Sequence, residues 1–135
     1  MSPAVKSNWR GRSFERVCLA HIEQIKKALG ISGVSTEVYA WQARAQSNSE
    51  SGAQIDLLID RNDGVVNICE MKYSRHPYVI DKEEADKLIN RLELFGKRTG
   101  TKKILHLTLV SPYGLEHTGH WGIVQSQVTM DDLFV

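Results

Sequence analysis

GAQIDLLIDRNDGVVNICEMKYS, residues 52–74, is the stretch on which the reading of the whole chain turns. Two apolar runs are separated by Asn62, Asp63 and Gly64, a triplet that suits a three-residue hairpin loop, with a type I turn followed by glycine in the left-handed region. That loop puts Arg61 opposite Val65, and counting back pairs Asp60 with Val66, Leu58 with Ile68, Asp56 with Glu70 and Gln54 with Lys72. Side chains alternate along a strand, so these even-numbered positions are expected on one face. The odd-numbered face, Ile55, Leu57, Ile59, Val65, Cys69 and Met71, is almost wholly apolar and is expected against a core. Two opposed carboxylates repel, which costs stability unless a cation or a proton sits between them. Asp56 and Glu70 therefore ask for a cation. A two-residue Asp-Gly loop would shift the register by one and part the two acids, so the inference depends on the turn.

Upstream, an apolar pattern of Phe14, Val17, Cys18, Ile22, Ile25 and Leu29 predicts a helix over 13–29, with Ser13 as N-cap and Gly30 as stop signal. Its seam extrapolates back to Glu15, an acid at the start of a buried stripe. Residues 1–12 show no sustained periodicity and read as an extension ahead of a domain over 13–135. Val38, Tyr39 and Trp41 suggest a strand within 34–44, and 45–52 reads as an exposed loop. Downstream, Pro77 ends regular pairing and a helix is expected over 81–97, with the stripe Ala85, Leu88, Ile89, Leu92 and Phe95, acids early and Lys97 and Arg98 late. Gly100 closes it. A central strand over 103–110, a turn region over 111–120 and a last strand over 121–128 follow. Thr129 and Asp132 resemble a capping box for a final helical turn. This order predicts an α/β sandwich, a central mixed sheet flanked by helices.

Composition excludes several classes. With 135 residues, one domain with a real core is expected. Lys plus Arg, 17, nearly balance Asp plus Glu, 16, so no global basic charge announces a nucleic-acid binder, though a local basic groove is compatible. Cys18 and Cys69 fall on apolar faces without metal-ligand spacing and read as reduced core residues of a cytoplasmic protein. No apolar run approaches membrane-spanning length, and the first residues lack the apolar segment of a signal peptide. His117 and His120 have no further Cys or His at zinc-site spacing and read as surface histidines.

An acid on the first helix, Asp56 in an apolar strand, then Glu70-Met71-Lys72 on the next strand, resembles the PD-(D/E)xK nuclease superfamily, with Ile55-Asp56 in place of Pro-Asp. SFERVCLAHIEQIKKALGISGV, the 52–74 hairpin and the ending MDDLF further resemble the C-terminal nuclease-like domain of bacterial AAA-type ATPase-fused proteins. The resemblance implies a restriction-endonuclease-like α/β/α sandwich and metal-dependent hydrolysis of nucleic acid, DNA in the first place. It implies Mg²⁺ or Mn²⁺ held by Asp56, Glu70, Glu15 and the backbone carbonyl of Met71. Lys72 would orient or help deprotonate the attacking water and steady the phosphate, and Gln54 would position water or phosphate. No Walker A sequence occurs, so any ATPase region would lie upstream or on another chain. Homodimers are common in such folds. Two rivals stand beside this reading: a non-catalytic module that binds nucleic acid or regulates an attached ATPase, and a protein-interaction domain in which the four ionic residues form only salt bridges.

Overall fold

A computed structural model describes residues 3–47 and 52–134; part of the expected 45–52 loop lies outside the described residues. Four α-helices, α1 (Pro3–Ala20), α2 (Ile22–Ala28), α3 (Lys82–Thr99) and α4 (Met130–Leu133), accompany seven strands. These are β1 (Thr36–Ala43), β2 (Ala53–Arg61), β3 (Val65–Met71), β4 (Tyr78–Ile80), β5 (Ile104–Val110), β6 (Leu115–Gly119) and β7 (Ser126–Val128). The main sheet has the order β1-β2-β3-β5-β7, antiparallel through β3 and parallel from β3 to β7. The chain is thus an α/β sandwich with a mixed five-stranded sheet. Among the described residues, no helix is long and apolar enough to cross a membrane.

The hairpin loop is the expected one, since Gly64 has φ 92° and Asp60 pairs with Val66, Leu58 with Ile68. Both faces of the sheet are covered. On one, Leu57, Ile59, Cys69 and Met71 pack with Phe14 and Cys18 of α1, Ile25 of α2 and Leu133 of α4. On the other, Leu58, Val66 and Ile68 meet Phe95 of α3, whose ring lies edge-on to Trp41 at 5.2 Å. Ile55 belongs to this second cluster, contrary to the odd-face expectation, and buried Asn67 interrupts the apolar odd face.

α3 starts on Asp81, whose carboxylate accepts the Glu84 N–H at 2.8 Å, and ends at Gly100 with φ 67°. Ala85, Leu88 and Phe95 are buried as expected, but Ile89 is exposed. The capping box closes α4, with the Thr129 N–H donating to Asp132 at 2.8 Å.

Several expected elements differ. α1 begins ten residues ahead of the expected start, so Ser13 lies inside a helix and not at its cap. The expected single helix breaks at His21, whose ring Nδ1 lies 2.6 Å from the Val17 carbonyl. β4 and β6 form a separate two-stranded parallel sheet where a loop and turn region were expected, and 121–128 holds a short 3-10 turn ahead of β7. These strands are three to five residues long, below the length at which alternation declares itself.

A polar chain crosses the buried sheet. The Arg61 guanidinium donates to the Asn67 Oδ1 at 3.1 Å, the Asn67 amide donates to Thr108 at 3.0 Å, and Thr108 and Ser126 hydroxyls lie 2.9 Å apart. Buried polar groups are tolerated when mutually satisfied, and here they tie β2, β3, β5 and β7 in one alignment. Asn67→Ala is expected to lower stability by about 1–3 kcal/mol in urea unfolding, because it takes one hydrogen-bond partner each from Thr108 and Arg61; an unchanged midpoint would show the chain to be dispensable.

Candidate active site

The acidic residues sit where β2 and β3 part. Their pairing runs from Asp60 and Val66 to Leu57 and Cys69. Beyond it, Ile55 and Gln54 pair with Trp41 and Gln42 of β1, while Glu70 and Met71 lie beside Leu109 and Val110 of β5. The Lys72 N–H continues the β5 side, donating to the Val110 carbonyl at 2.9 Å. Asp56 and Glu70 therefore flank a fork between two strands. They are not opposite rungs of one ladder, and Gln54 is not set against Lys72, which corrects the expectation drawn from the loop.

The cause is an extra residue in β2. Tyr39 pairs with Leu58 and Trp41 with Ile55, so Ala40 alone on β1 stands opposite Asp56 and Leu57 on β2. Such a bulge breaks alternation and re-aims a side chain. Leu57 enters the core under α1 and Ile55 enters the core under α3, which leaves Asp56 at the reversal, exposed.

Glu15 comes from α1 on one side of the fork. Burial raises the pKa of its carboxyl, the charges of Asp56 and Glu70 raise it further, and Lys72 and Arg12 lower it. All of the sequence-predicted ionic residues thus act on one another's region. Gln54 lies on β2 beside the bulge, and its amide donates to Asp56 at 2.8 Å.

Glu70 and Lys72 engage α3. One Glu70 oxygen lies 3.3 Å from the Lys72 ammonium and the other accepts from the Arg91 guanidinium. Lys72 also lies 3.5 Å from Glu84, and the Tyr78 hydroxyl lies 2.6 Å from both Glu84 oxygens. Burial, with the bond to Glu84, pushes the Tyr78 phenol pKa well up. Glu70, Lys72, Glu84, Leu88 and Arg91 share the lining of a cavity of about 280 Å³. Glu84, Tyr78 and Arg91 were not singled out from sequence, although Glu84, Leu88 and Arg91 fall at helical spacing on one face of α3.

Chemically the arrangement is a set of hard oxygen donors, Glu15, Asp56 and Glu70, beside an ammonium. The donors fit Mg²⁺ or Mn²⁺ in kind; burial first, and then the charges of Asp56 and Glu70, raise the Glu15 pKa, and a cation would offset the second of these. Among the described residues, no three His, Cys, Asp or Glu side chains stand close enough to hold a metal ion, and Glu70 is turned to Arg91 and Lys72. His117 and His120 are exposed, and His117 stacks on Trp121 at 4.4 Å.

No protein-family model and no curated protein matches the chain. A solved structure described as the "Crystal Structure of Protein of Unknown Function AF1548" is similar, with a TM-score of 0.54 and 14% identity over 87% of this chain. The match spans 64% of that structure's length and supports the fold alone.

Because Glu15 binds its proton more tightly folded than unfolded, it lowers stability as pH rises from the ordinary carboxylate range through its folded pKa. Glu15→Gln is therefore expected to be more stable than wild type at pH 7 in urea unfolding, with the gap closing as pH falls through the folded pKa toward 4.5. Equal stability at pH 7 would show that burial and the fork's charges together do not bear on Glu15.

Proposed function

We propose that this domain hydrolyses phosphodiester bonds of nucleic acid, with DNA as the first substrate to test and Mg²⁺ or Mn²⁺ as cofactor. The observation that carries the reading is the fork between β2 and β3, which Asp56 and Glu70 flank with the Lys72 ammonium 3.3 Å from Glu70, and whose charges bear on Glu15 of α1. Asp56, Glu70, Glu15 and the Met71 carbonyl would hold the ion. A divalent ion there would activate water and neutralise charge growing on the phosphate and leaving oxygen. The Lys72 ammonium, held between Glu70 and Glu84, can donate to a phosphate oxygen or orient the attacking water. Gln54 steadies the Asp56 carboxylate through its amide.

One observation favours a second reading. Both Glu70 oxygens are already met by cations, Lys72 and Arg91, as in a charge cluster that only joins sheet to helix. On that reading the domain is a non-catalytic module that binds nucleic acid or regulates an attached ATPase.

Supercoiled, linear and single-stranded DNA incubated with the protein and Mg²⁺ or Mn²⁺ separate the two. Cleavage is expected from the wild type and is expected to fall by about 10²-fold or more in Asp56→Ala and Lys72→Ala. Activity surviving in both variants would mean a contaminating nuclease. Absence of cleavage, together with absence of heat on titrating either metal, supports the non-catalytic module.

A further inference from the structure

Arg91 stands between two concave surfaces. It lines the small cavity with Glu70 and Lys72, and it also lines a larger groove of about 910 Å³ between α3 and the start of β2. Along this groove α3 presents Lys87, Arg91 and Lys97 against one acid among the described residues, Glu93, with the amides of Asn90 and Gln54 between them. The Lys87 ammonium is 3.5 Å from Glu83 in a solvent-exposed pair, and such pairs hold by only about 0–1 kcal/mol. Lys87 is therefore easily drawn to another anion. From Lys87 to Lys97 the helix rises on the order of 15 Å, which spans several phosphates of a nucleic-acid backbone rather than one free anion.

Arg91 is held differently. Its side chain is only 26% exposed and its guanidinium is committed to Glu70. A guanidinium carries its donors in a planar fork that matches carboxylate and phosphate alike, so the same group can serve either partner. We infer that the groove along α3 receives the phosphate backbone of a nucleic-acid strand, and that Arg91 passes from Glu70 to a strand phosphate when the strand binds. The second step rests on the reading of Glu70 as a metal ligand. With Arg91 withdrawn, Glu70 loses a neutralising partner beside Asp56 and Glu15, and its freed oxygen is open to a divalent ion. Strand and metal then bind cooperatively, each raising the affinity for the other by the same factor. Arg91 is a positioning residue on this account, acting through Glu70.

Two measurements on the whole chain read this out with opposite signs. In EDTA, fluorescence anisotropy of a labelled DNA strand and of its duplex is expected to show binding that weakens severalfold in Lys87→Gln, Lys97→Gln and Arg91→Gln. Each substitution is also expected to reduce the slope of log affinity against log salt by about one. Without nucleic acid, calorimetric titration of Mg²⁺ is expected to show Arg91→Gln binding the ion about fivefold or more tightly than wild type, because a competing cation has been removed. A merely structural arginine would not strengthen metal binding, and a simple phosphate contact would leave it unchanged. Mg²⁺ affinity in Arg91→Gln no greater than wild type overturns the exchange. Absence of DNA binding, or wild-type affinity in both lysine variants, overturns the groove. If the wild type cleaves DNA while both lysine variants bind normally, the groove fails and the catalytic reading stands. If these residues are needed for binding but no cleavage occurs, the groove stands and the catalytic reading fails. Should Arg91→Gln unfold by circular dichroism, Arg91→Lys, which keeps the charge without the planar fork, is expected to shift both affinities in the same directions by less.

Discussion

The candidate site depends on one extra residue in β2. If β2 kept its alternation from Arg61 to Ala53, Ile55 would join the core under α1 and the strand would stay zipped to β3 past Asp56. Instead Ile55 packs with Leu58, Ile68 and Phe95, and β2 leaves β3 after Leu57. The sheet opens there. Glu15 lies on the α1 side and Glu70 engages α3, and the charge of Glu70 bears on Glu15. Bulges concentrate at sheet edges and beside functional sites for this reason, since they aim a side chain that regular pairing would hide.

Charge at the fork is compensated unevenly. Glu70 has two cations, Lys72 has two carboxylates, and Glu84 is further held by Tyr78. On the other side of the fork, Asp56 has an amide from Gln54, while Glu15 has burial and two like charges against it. A carboxyl whose charged form is disfavoured by burial and by like charges fits the pattern of functional sites, which structural ion-pair networks share. The cation-rich side has the opposite character, for Arg91 could retire to bulk solvent or to an anionic ligand only by giving up Glu70. On the proposed reading, that competition would make Glu70 the point on which metal, arginine and nucleic-acid strand all bear.

Much of this was legible in the sequence because it was local. The Asn62-Asp63-Gly64 loop set the hairpin register from its own residues, and Asp81, Gly100 and the Thr129 box marked helix ends within a few positions. Asp56, Glu70 and Lys72 stood out from the strand pattern, Glu15 followed from the helix seam, and only the resemblance to the nuclease superfamily joined the four as one candidate site. The bulge could not be read, because it answers to Phe95 and Trp41, residues far from Ile55 along the chain. The continuation of α1 through residues 3–12 escaped for a related reason: no clear apolar stripe runs along that stretch, so periodicity carries no signal there. Arg91 and Glu84 were hidden on the flank of an amphipathic helix, where ionic residues usually face water. Only the position of α3 over β3 turns them toward Glu70 and Lys72.

The central claim is that the fork between β2 and β3 gathers carboxylates for a divalent cation. Paramagnetic Mn²⁺ titrated into the ¹⁵N-labelled protein tests it directly, since broadening falls off steeply with distance from the ion. Selective loss of the amide signals of Glu15, Asp56, Glu70 and Met71 at low Mn²⁺ is the result this account predicts. Broadening spread over exposed acids such as Glu83, Asp86 and Asp131, with the fork signals intact, would contradict it.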